Sequence, residues 1–97
     1  MPSIPRRLLI VSDIFEFEDG SINLAPLVPF TVLDPERGER LKAGDQLELR
    51  RPDGTIIKTT LYGLNWLSPS RGTMGLALNK PITKADVPIG TEIWKVG

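Results

Sequence analysis

Glycine and proline interrupt this chain so often that little room is left for a long helix. Nine glycines and nine prolines occur among 97 residues, and they recur along the chain instead of gathering in one segment. No window between them keeps a helical period of apolar residues for the length that a helix usually needs. Short strands joined by tight turns suit such a sequence best, so we predict an all-β protein.

Alternation of apolar and polar residues marks the individual strands. In the run Phe15–Glu18 aromatic and acidic residues alternate, which predicts a half-buried strand with both aromatics inward and both carboxylates in water, ended by a turn at Asp19-Gly20. The segment Gln46–Arg50 alternates in the same way. The turn residues Pro52-Asp53-Gly54 then lead into Thr55–Tyr62, which is rich in β-branched residues, so a hairpin is predicted here.

The second half of the chain predicts two further strands. Thr73–Leu78 is apolar on both faces, with Gly and Ala on one of them, which is typical of a central strand that another backbone approaches closely. In the last strand, Glu92–Val96, the inward face stays open because Ile93 and Trp94 both favour burial, and we expect Trp94 in the core. A single helical turn is expected at Thr83–Asp86. Loops are predicted at Ala25–Pro29, Asp34–Gly38, Ser68–Gly72 and Asn79–Gly90.

Composition predicts one neutral domain. Hydrophobic residues make up 40% and charged residues 25%, which is ordinary for a globular protein, and the length suits a single domain over residues 1–97 with a flexible start over 1–7. Twelve Lys plus Arg balance twelve Asp plus Glu. A neutral chain offers no simple electrostatic argument for a nucleic acid or an anionic membrane as partner.

The residue types that are missing narrow the chemistry. The chain has no cysteine and no histidine, which excludes disulfides, thiolate chemistry, the Ser-His-Asp arrangement and nearly every transition-metal site. We therefore predict a protein that is not an enzyme and that needs no cofactor or metal. The longest apolar run, Leu8–Val11, is far shorter than the roughly 20 residues of a membrane span, so we expect a soluble, cytoplasmic protein with no membrane partner.

Four segments carry a resemblance to a known family. They are Arg40–Leu49, the closing series Gly75–Leu78 with Ile82, Val87, Gly90 and Ile93, the entry strand Leu9–Phe15, and Tyr62–Leu67. In order and spacing they resemble the translation-factor β-barrel, the second domain of elongation factor Tu and its relatives. The resemblance implies a small closed or partly open antiparallel β-barrel of about six to eight short strands.

This chain also departs from the family. Ser21–Pro26 stands where the family has a Gly-rich strand, the segment 30–39 is longer than the usual turn, and the hairpin over 67–73 is shorter than the one that helps elongation factor Tu to hold aminoacylated tRNA. No tRNA-binding residues are therefore carried over. The phosphate-binding loop GxxxxGK[ST] of the GTPase domain does not occur.

The candidate partner-binding residues are Trp66, Arg71, Arg50 and Arg51. An indole beside the loop at 68–72 can anchor a protein partner, and arginines beside an aromatic ring can hold single-stranded RNA. Packing of Trp66 at the rim of the core and solvated strand faces for the arginines are the simpler interpretations.

Three weaker constellations have simple structural interpretations. The carboxylates of Asp13, Glu16, Glu18 and Asp19 could surround a hard cation, although a wet strand face explains them better. The hydroxyls of Ser68, Ser70 and Thr73 could hold a phosphate, and Asp45 with Lys42 could form an acid–base pair. Turn chemistry accounts for both of these groups.

Three functions remain open at this stage. The first is a stand-alone, non-catalytic interaction module whose partner is a protein. The second is an RNA- or ribosome-associated accessory domain, favoured by the resemblance and by the cationic groups at 37–42 and 50–58. The third is a protein that binds a small ligand or a divalent cation.

Overall fold

The structure, a computed structural model, describes residues 5–29, 41–68, 72–79 and 81–96, without the side chains of 66–68. Within these residues the protein is all-β, as predicted, and its helical content is one 3-10 turn at Lys84–Asp86, where a helical turn was expected. The strands are β1 (Arg6–Ile10), β2 (Asp13–Glu16), β3 (Ile22–Pro29), β4 (Gln46–Arg50), β5 (Ile56–Thr60), β6 (Gly63–Ser68), β7 (Thr73–Leu78) and β8 (Glu92–Lys95).

The strands form two antiparallel sheets of four. The first sheet has the order β1-β8-β4-β5, and the second has the order β2-β3-β7-β6. The flexible start expected over 1–7 does not extend to Arg6 and Arg7, because both lie in β1 and pair with Lys95 and Trp94 of β8. The predicted central position of Thr73–Leu78 is confirmed, since β7 has a neighbour on each side.

Two chain segments pass from one sheet to the other. The Val11 N–H donates to the Thr91 carbonyl at 2.8 Å, and the next residue, Ser12, donates to the Ala25 carbonyl of β3 at 2.8 Å. Residues 61–62 make the same transition between β5 and β6. The paired strands therefore form two sheets that share bent segments, and the pairing itself does not close them into one cylinder.

The core lies between the two sheets and follows the predicted alternation in β4. Leu47 and Leu49 are fully buried, while Glu48 and Arg50 point to the outer face. The second sheet contributes a matching inner layer of aliphatic side chains, which are Ile14, Ile22, Leu24, Val28, Met74, Leu76 and Leu78. At about 25 cal/mol per Å² of buried apolar surface, these facing layers are the main source of stability.

The last strand turns Ile93 inward and Trp94 outward, so the expectation of a core tryptophan is wrong. Ile93 is fully buried and lies opposite Leu49 in the adjacent strand β4. Trp94 is half-buried on the outer face of the first sheet, opposite Glu48. The neighbouring strand provides charged partners for the indole there, so burial in the core is not its best environment.

The β2–β3 hairpin corrects the assignment of faces over Phe15–Glu18. Phe15 lies opposite Asn23, and Ile14 lies opposite the buried Leu24, so Ile14 points inward and Phe15 points outward. A shift of one residue in phase exchanges the two faces of a strand. Phe17 shares the outward face.

The segment Ala25–Pro29 was expected to be a loop but belongs to β3. Its pairing with β7 is interrupted between Leu24 and Val28. Proline has no N–H to donate to a neighbouring strand, and the interruption removes the need for that hydrogen bond. The predicted loop Asp34–Gly38 lies outside the described residues, as does 69–71 of the loop Ser68–Gly72.

Two hairpin turns use the same chemistry. In the first, Gly20 has a φ of 88° and the Asp19 carboxylate accepts hydrogen bonds from the backbone N–H and hydroxyl of Ser21, at 2.9 and 2.6 Å. In the second, Gly54 has a φ of 90° and the Asp53 carboxylate is bound in the same way by Thr55. Side chains with a Cβ rarely adopt such a φ, so the Asp-Gly pairs fix both turns.

These turns predict that the protein loses stability in acid. Hydrogen bonds from the Ser21 and Thr55 side chains, and then from their backbone N–H groups, lower the pKa of Asp19 and Asp53. A carboxylate whose pKa is lower in the folded state than in the unfolded chain stabilises the fold above about pH 4, and this contribution is lost as the pH falls through the folded pKa. The urea concentration at the midpoint of unfolding is expected to be lower at pH 3 than at pH 6. The Asp53→Asn variant is expected to show a smaller decrease between these two pH values. An equal fall in both proteins would contradict this role for Asp53.

Candidate functional site

A side-chain bridge crosses the outer face of the second sheet. Asn23 of β3 and Asn65 of β6 flank the central strand β7, which presents Gly75 and Ala77 between them on this face. Because these residues are small, the Asn65 side-chain amide can reach over β7 and donate a hydrogen bond to Asn23 Oδ1. The Asn23 Nδ2 atom is buried and, within the described parts of the chain, has no hydrogen-bond partner.

Leu27 covers the part of β7 next to this bridge. The interrupted register between Leu24 and Val28, which includes the cis Ala25–Pro26 bond, places Leu27 on the outer face. A Cβ atom at Gly75 would lie 3.3 Å from Leu27 Cδ2. The glycine predicted a close approach by another backbone, but the closest atom belongs to the Leu27 side chain. The nearest backbone atom, the Asn65 carbonyl oxygen, would be 3.8 Å from that Cβ.

The β2–β3 hairpin presents a second feature, which we call the phenylalanine surface. Phe15 and Phe17 lie side by side on the outward face and are 54% and 50% exposed. Four exposed carboxylates lie along the same hairpin. Asp13 shares the outward face with Phe15, Glu16 lies on the other face opposite Ile22, and Glu18 and Asp19 lie in the turn. No lysine or arginine occurs in the sequence between Arg7 and Arg37. The phenylalanine surface thus combines two half-exposed aromatic rings with negative charge.

Sequence reasoning missed this surface because Ile14 and Phe15 are both apolar, so alternation alone left the phase of the strand ambiguous. The turn that follows the strand contains the information that fixes this phase. Phe17 and Ser21 close the hairpin through a hydrogen bond of 2.9 Å, and counting outward from that pair places Phe15 opposite the polar Asn23. A three-residue turn with glycine in its last position predicts that register.

The outer face of the first sheet contains a charge network. The Arg50 guanidinium lies 4.0 Å from the centre of the Trp94 ring, and its Nη2 atom is 3.1 Å from Glu48 Oε1. The Trp94 indole N–H donates to Glu92 Oε1 at 2.8 Å. A cation over an indole at an exposed site is worth roughly 0.5–1 kcal/mol. Arg50 is thus engaged within the protein by both an aromatic ring and a carboxylate.

Arg51 is placed differently from Arg50. It follows β4, is half-buried, and its backbone N–H donates to Thr55 in the hairpin turn at 2.9 Å. The pKa of Asp86 is lowered by hydrogen bonds from the Thr83 backbone and hydroxyl, with a smaller effect from the Arg51 charge. The Arg51 Nε atom is buried, and no described residue accepts a hydrogen bond from it. Arg51 therefore acts mainly on the turns around it.

Of the four candidate partner-binding residues, the structure describes the side chains of Arg50 and Arg51. The backbone of Trp66 lies in β6 of the second sheet, whereas Arg50 lies in β4 of the first. The Trp66 side chain and all of Arg71 lie outside the described residues. The role predicted for these residues stays a prediction.

The weaker candidates have structural roles where they are described. Asp45 Oδ2 accepts a hydrogen bond from the Lys42 backbone N–H at 2.8 Å and so closes a turn. Ser68 pairs with Thr73 across the strands β6 and β7, and Ser70 lies outside the described residues. In the described part of the chain, no three acidic side chains come together as ligands for a metal ion.

Comparison of the chain with protein-family models, with curated proteins and with solved structures found no match. Across the described ranges, no helix has the length and apolar character that a bilayer crossing needs.

Proposed function

We propose that this protein is a non-catalytic interaction module that binds another protein through the phenylalanine surface. The observation that carries the proposal is the exposure of two neighbouring phenylalanines, Phe15 and Phe17, on one face of a hairpin. Aromatic side chains supply much of the energy of protein interfaces, and adjacent exposed ones mark such sites more strongly than isolated apolar residues do.

The chemistry of the acidic residues supports binding over catalysis. Perturbed carboxylates often mark catalytic sites. Here the pKa values of Asp19, Asp53 and Asp86 are lowered by hydrogen bonds that close turns, so their perturbation has a structural explanation. The sequence also lacks histidine and cysteine, the side chains most often used as base or nucleophile near neutral pH.

We also propose that the two sheets form a barrel of the translation-factor type. The support is the pair of bent segments at residues 11–12 and 61–62, each of which bonds to both sheets. Corner strands of this kind are typical of small barrels and orthogonally packed sheets. The family relation and a cytoplasmic location remain proposals based on the sequence.

RNA binding ranks below protein binding because Arg50 is already held by Glu48 and Trp94. The carboxylates around Phe15 and Phe17 would also repel phosphates. The alternative of a cation or small-ligand site has no assembled donor set in the described residues.

Capture experiments with the double variant Phe15→Ser/Phe17→Ser test the proposal. Proteins retained from lysate by the wild type are identified, purified and titrated against both forms. Loss of a central aromatic contact typically costs about 2 kcal/mol or more, so affinity should fall on the order of 30-fold.

The control for that experiment is Ile56→Ser/Ile89→Ser, which removes side chains that are 53% and 59% exposed elsewhere on the protein. It should bind as the wild type does. Equal binding by the phenylalanine variant would reject the proposed surface, and RNA binding that falls steeply with salt and survives the Phe substitutions would favour the alternative.

A further inference from the structure

We infer that the phenylalanine surface binds an extended polypeptide segment that carries lysine or arginine together with alternating apolar side chains, and that this segment adds as a strand to β2. The inference rests on the proposed function and specifies the partner. It is based on three features of the same hairpin, which are an edge strand, two exposed aromatic rings and charged side chains that are all negative.

One edge of the second sheet is formed by β2. In the described strand pairing, β2 has β3 as a partner on one side and no strand on the other. Along an antiparallel strand the backbone groups of successive residues point alternately to the two sides. The Ile14 N–H donates to the carboxylate of its neighbour Asp13 at 2.8 Å, as expected for a group without a strand partner. A carbonyl group of a bound strand can accept the hydrogen bond from this N–H in place of the Asp13 carboxylate.

That exchange would change the role of Asp13. Once a partner carbonyl accepts from Ile14, the Asp13 carboxylate is available to pair with a cationic side chain of the same segment. Strand addition of this kind uses main-chain hydrogen bonds for affinity and alternate side chains for selectivity. Phe15 and Phe17 are two residues apart, about 7 Å along a strand, which is the spacing of alternate side chains in an extended segment.

A buried polar atom lies next to the rings. Asn23, opposite Phe15 on the same face of the hairpin, is 6% exposed, and its Nδ2 atom has no acceptor among the residues that the structure describes. A buried donor without an acceptor is costly, and native proteins rarely leave one. This unsatisfied donor lies on the same face of the second sheet as Phe15.

The charge of the surface selects among possible occupants. Asp13, Glu16, Glu18 and Asp19 are exposed, and the nearest cations in sequence are Arg7 and Arg37. A second copy docking by the same face would oppose like charges, as in any two-fold interface formed from one patch. Nucleic acids and anionic membranes would be repelled. A cationic segment is the occupant that gains from both the rings and the carboxylates.

Selection from a library of random dodecapeptides tests the inference. The wild type should enrich sequences with several Lys or Arg and apolar residues at alternate positions. The affinity of the selected peptides should fall roughly tenfold for Glu16→Lys/Glu18→Lys, and by a similar factor between about 0.05 and 0.5 M NaCl. Phe15→Ser/Phe17→Ser should weaken binding on the order of 30-fold. N-methylation at alternate peptide residues, which removes backbone donors without changing charge, should also weaken it.

The outcomes separate the two proposals. Selected peptides that require Phe15 and Phe17 but are neutral or acidic would overturn this inference and leave the proposed function standing. Cationic peptides whose affinity is unchanged by N-methylation would contradict strand addition. Selected peptides that bind the phenylalanine variant as well as they bind the wild type, or a selection that enriches no binder, would overturn both.

Discussion

Leu49→Ala is expected to lower the free energy of unfolding by about 2–5 kcal/mol, the usual cost of removing a buried leucine side chain. Leu49 is fully buried at the centre of the first sheet, where it lies opposite Ile93 of β8 and Ile57 of β5. Its neighbours are held by the sheet and can only partly close the space it leaves. Urea unfolding at neutral pH, monitored by tryptophan fluorescence, measures the change.

The matched control for this variant is Ile56→Ala. Ile56 belongs to β5, the strand next to Leu49, and its side chain is 53% exposed on the outer face. Its replacement should change the free energy of unfolding by less than about 1 kcal/mol. Similar losses for the two variants would contradict the assignment of inner and outer faces in the first sheet.

Gly75→Val is expected to destabilise the second sheet by about 1–3 kcal/mol, a typical cost of overpacking. A Cβ at residue 75 would lie 3.3 Å from Leu27 Cδ2 and 3.8 Å from Asn65 Cβ, and the valine methyl groups would extend further towards the Asn23–Asn65 bridge. Leu27 would have to move away from residue 75 to make room for the added methyl groups. Thermal and urea unfolding would both report the loss.

Gly63 provides a control on the neighbouring strand. It lies opposite Ala77, and a Cβ built there has no atom within 4 Å. Gly63→Val should therefore be neutral or slightly stabilising, because valine favours extended backbone more than glycine does. A loss for Gly63→Val as large as that for Gly75→Val would show that glycine is needed on this face for a reason other than space.

Local sequence signals predicted the parts of the fold that depend on a few neighbouring residues. The alternation of Leu47 and Leu49 with charged residues identified the inward face of β4, and the Asp-Gly pairs at residues 19–20 and 53–54 identified two turns. The inward face of a strand follows from its own alternation, and a turn follows from the conformation of its own glycine. Local sequence is therefore enough to predict both features.

The features of the fold that the sequence did not predict depend on contacts between residues that are distant in the chain. Trp94 lies outward because β4 brings Arg50 to its ring, and this contact joins residues 44 positions apart. The central β7 accepts the Asn23–Asn65 bridge only because both flanking strands are placed beside it. The phenylalanine surface depends on hairpin register, which the alternation of Phe15 and Phe17 with acidic residues concealed.

Mapping of the bound surface would show whether partners bind at the phenylalanine surface. Backbone amide chemical shifts of the isotope-labelled protein would be followed during titration with a captured partner or a selected peptide. We expect the largest shifts in β2 and in the facing residues 22–25 of β3, with β4 and β8 little affected. Largest shifts around Arg50 and Trp94 on the first sheet, with β2 unchanged, would contradict the claim.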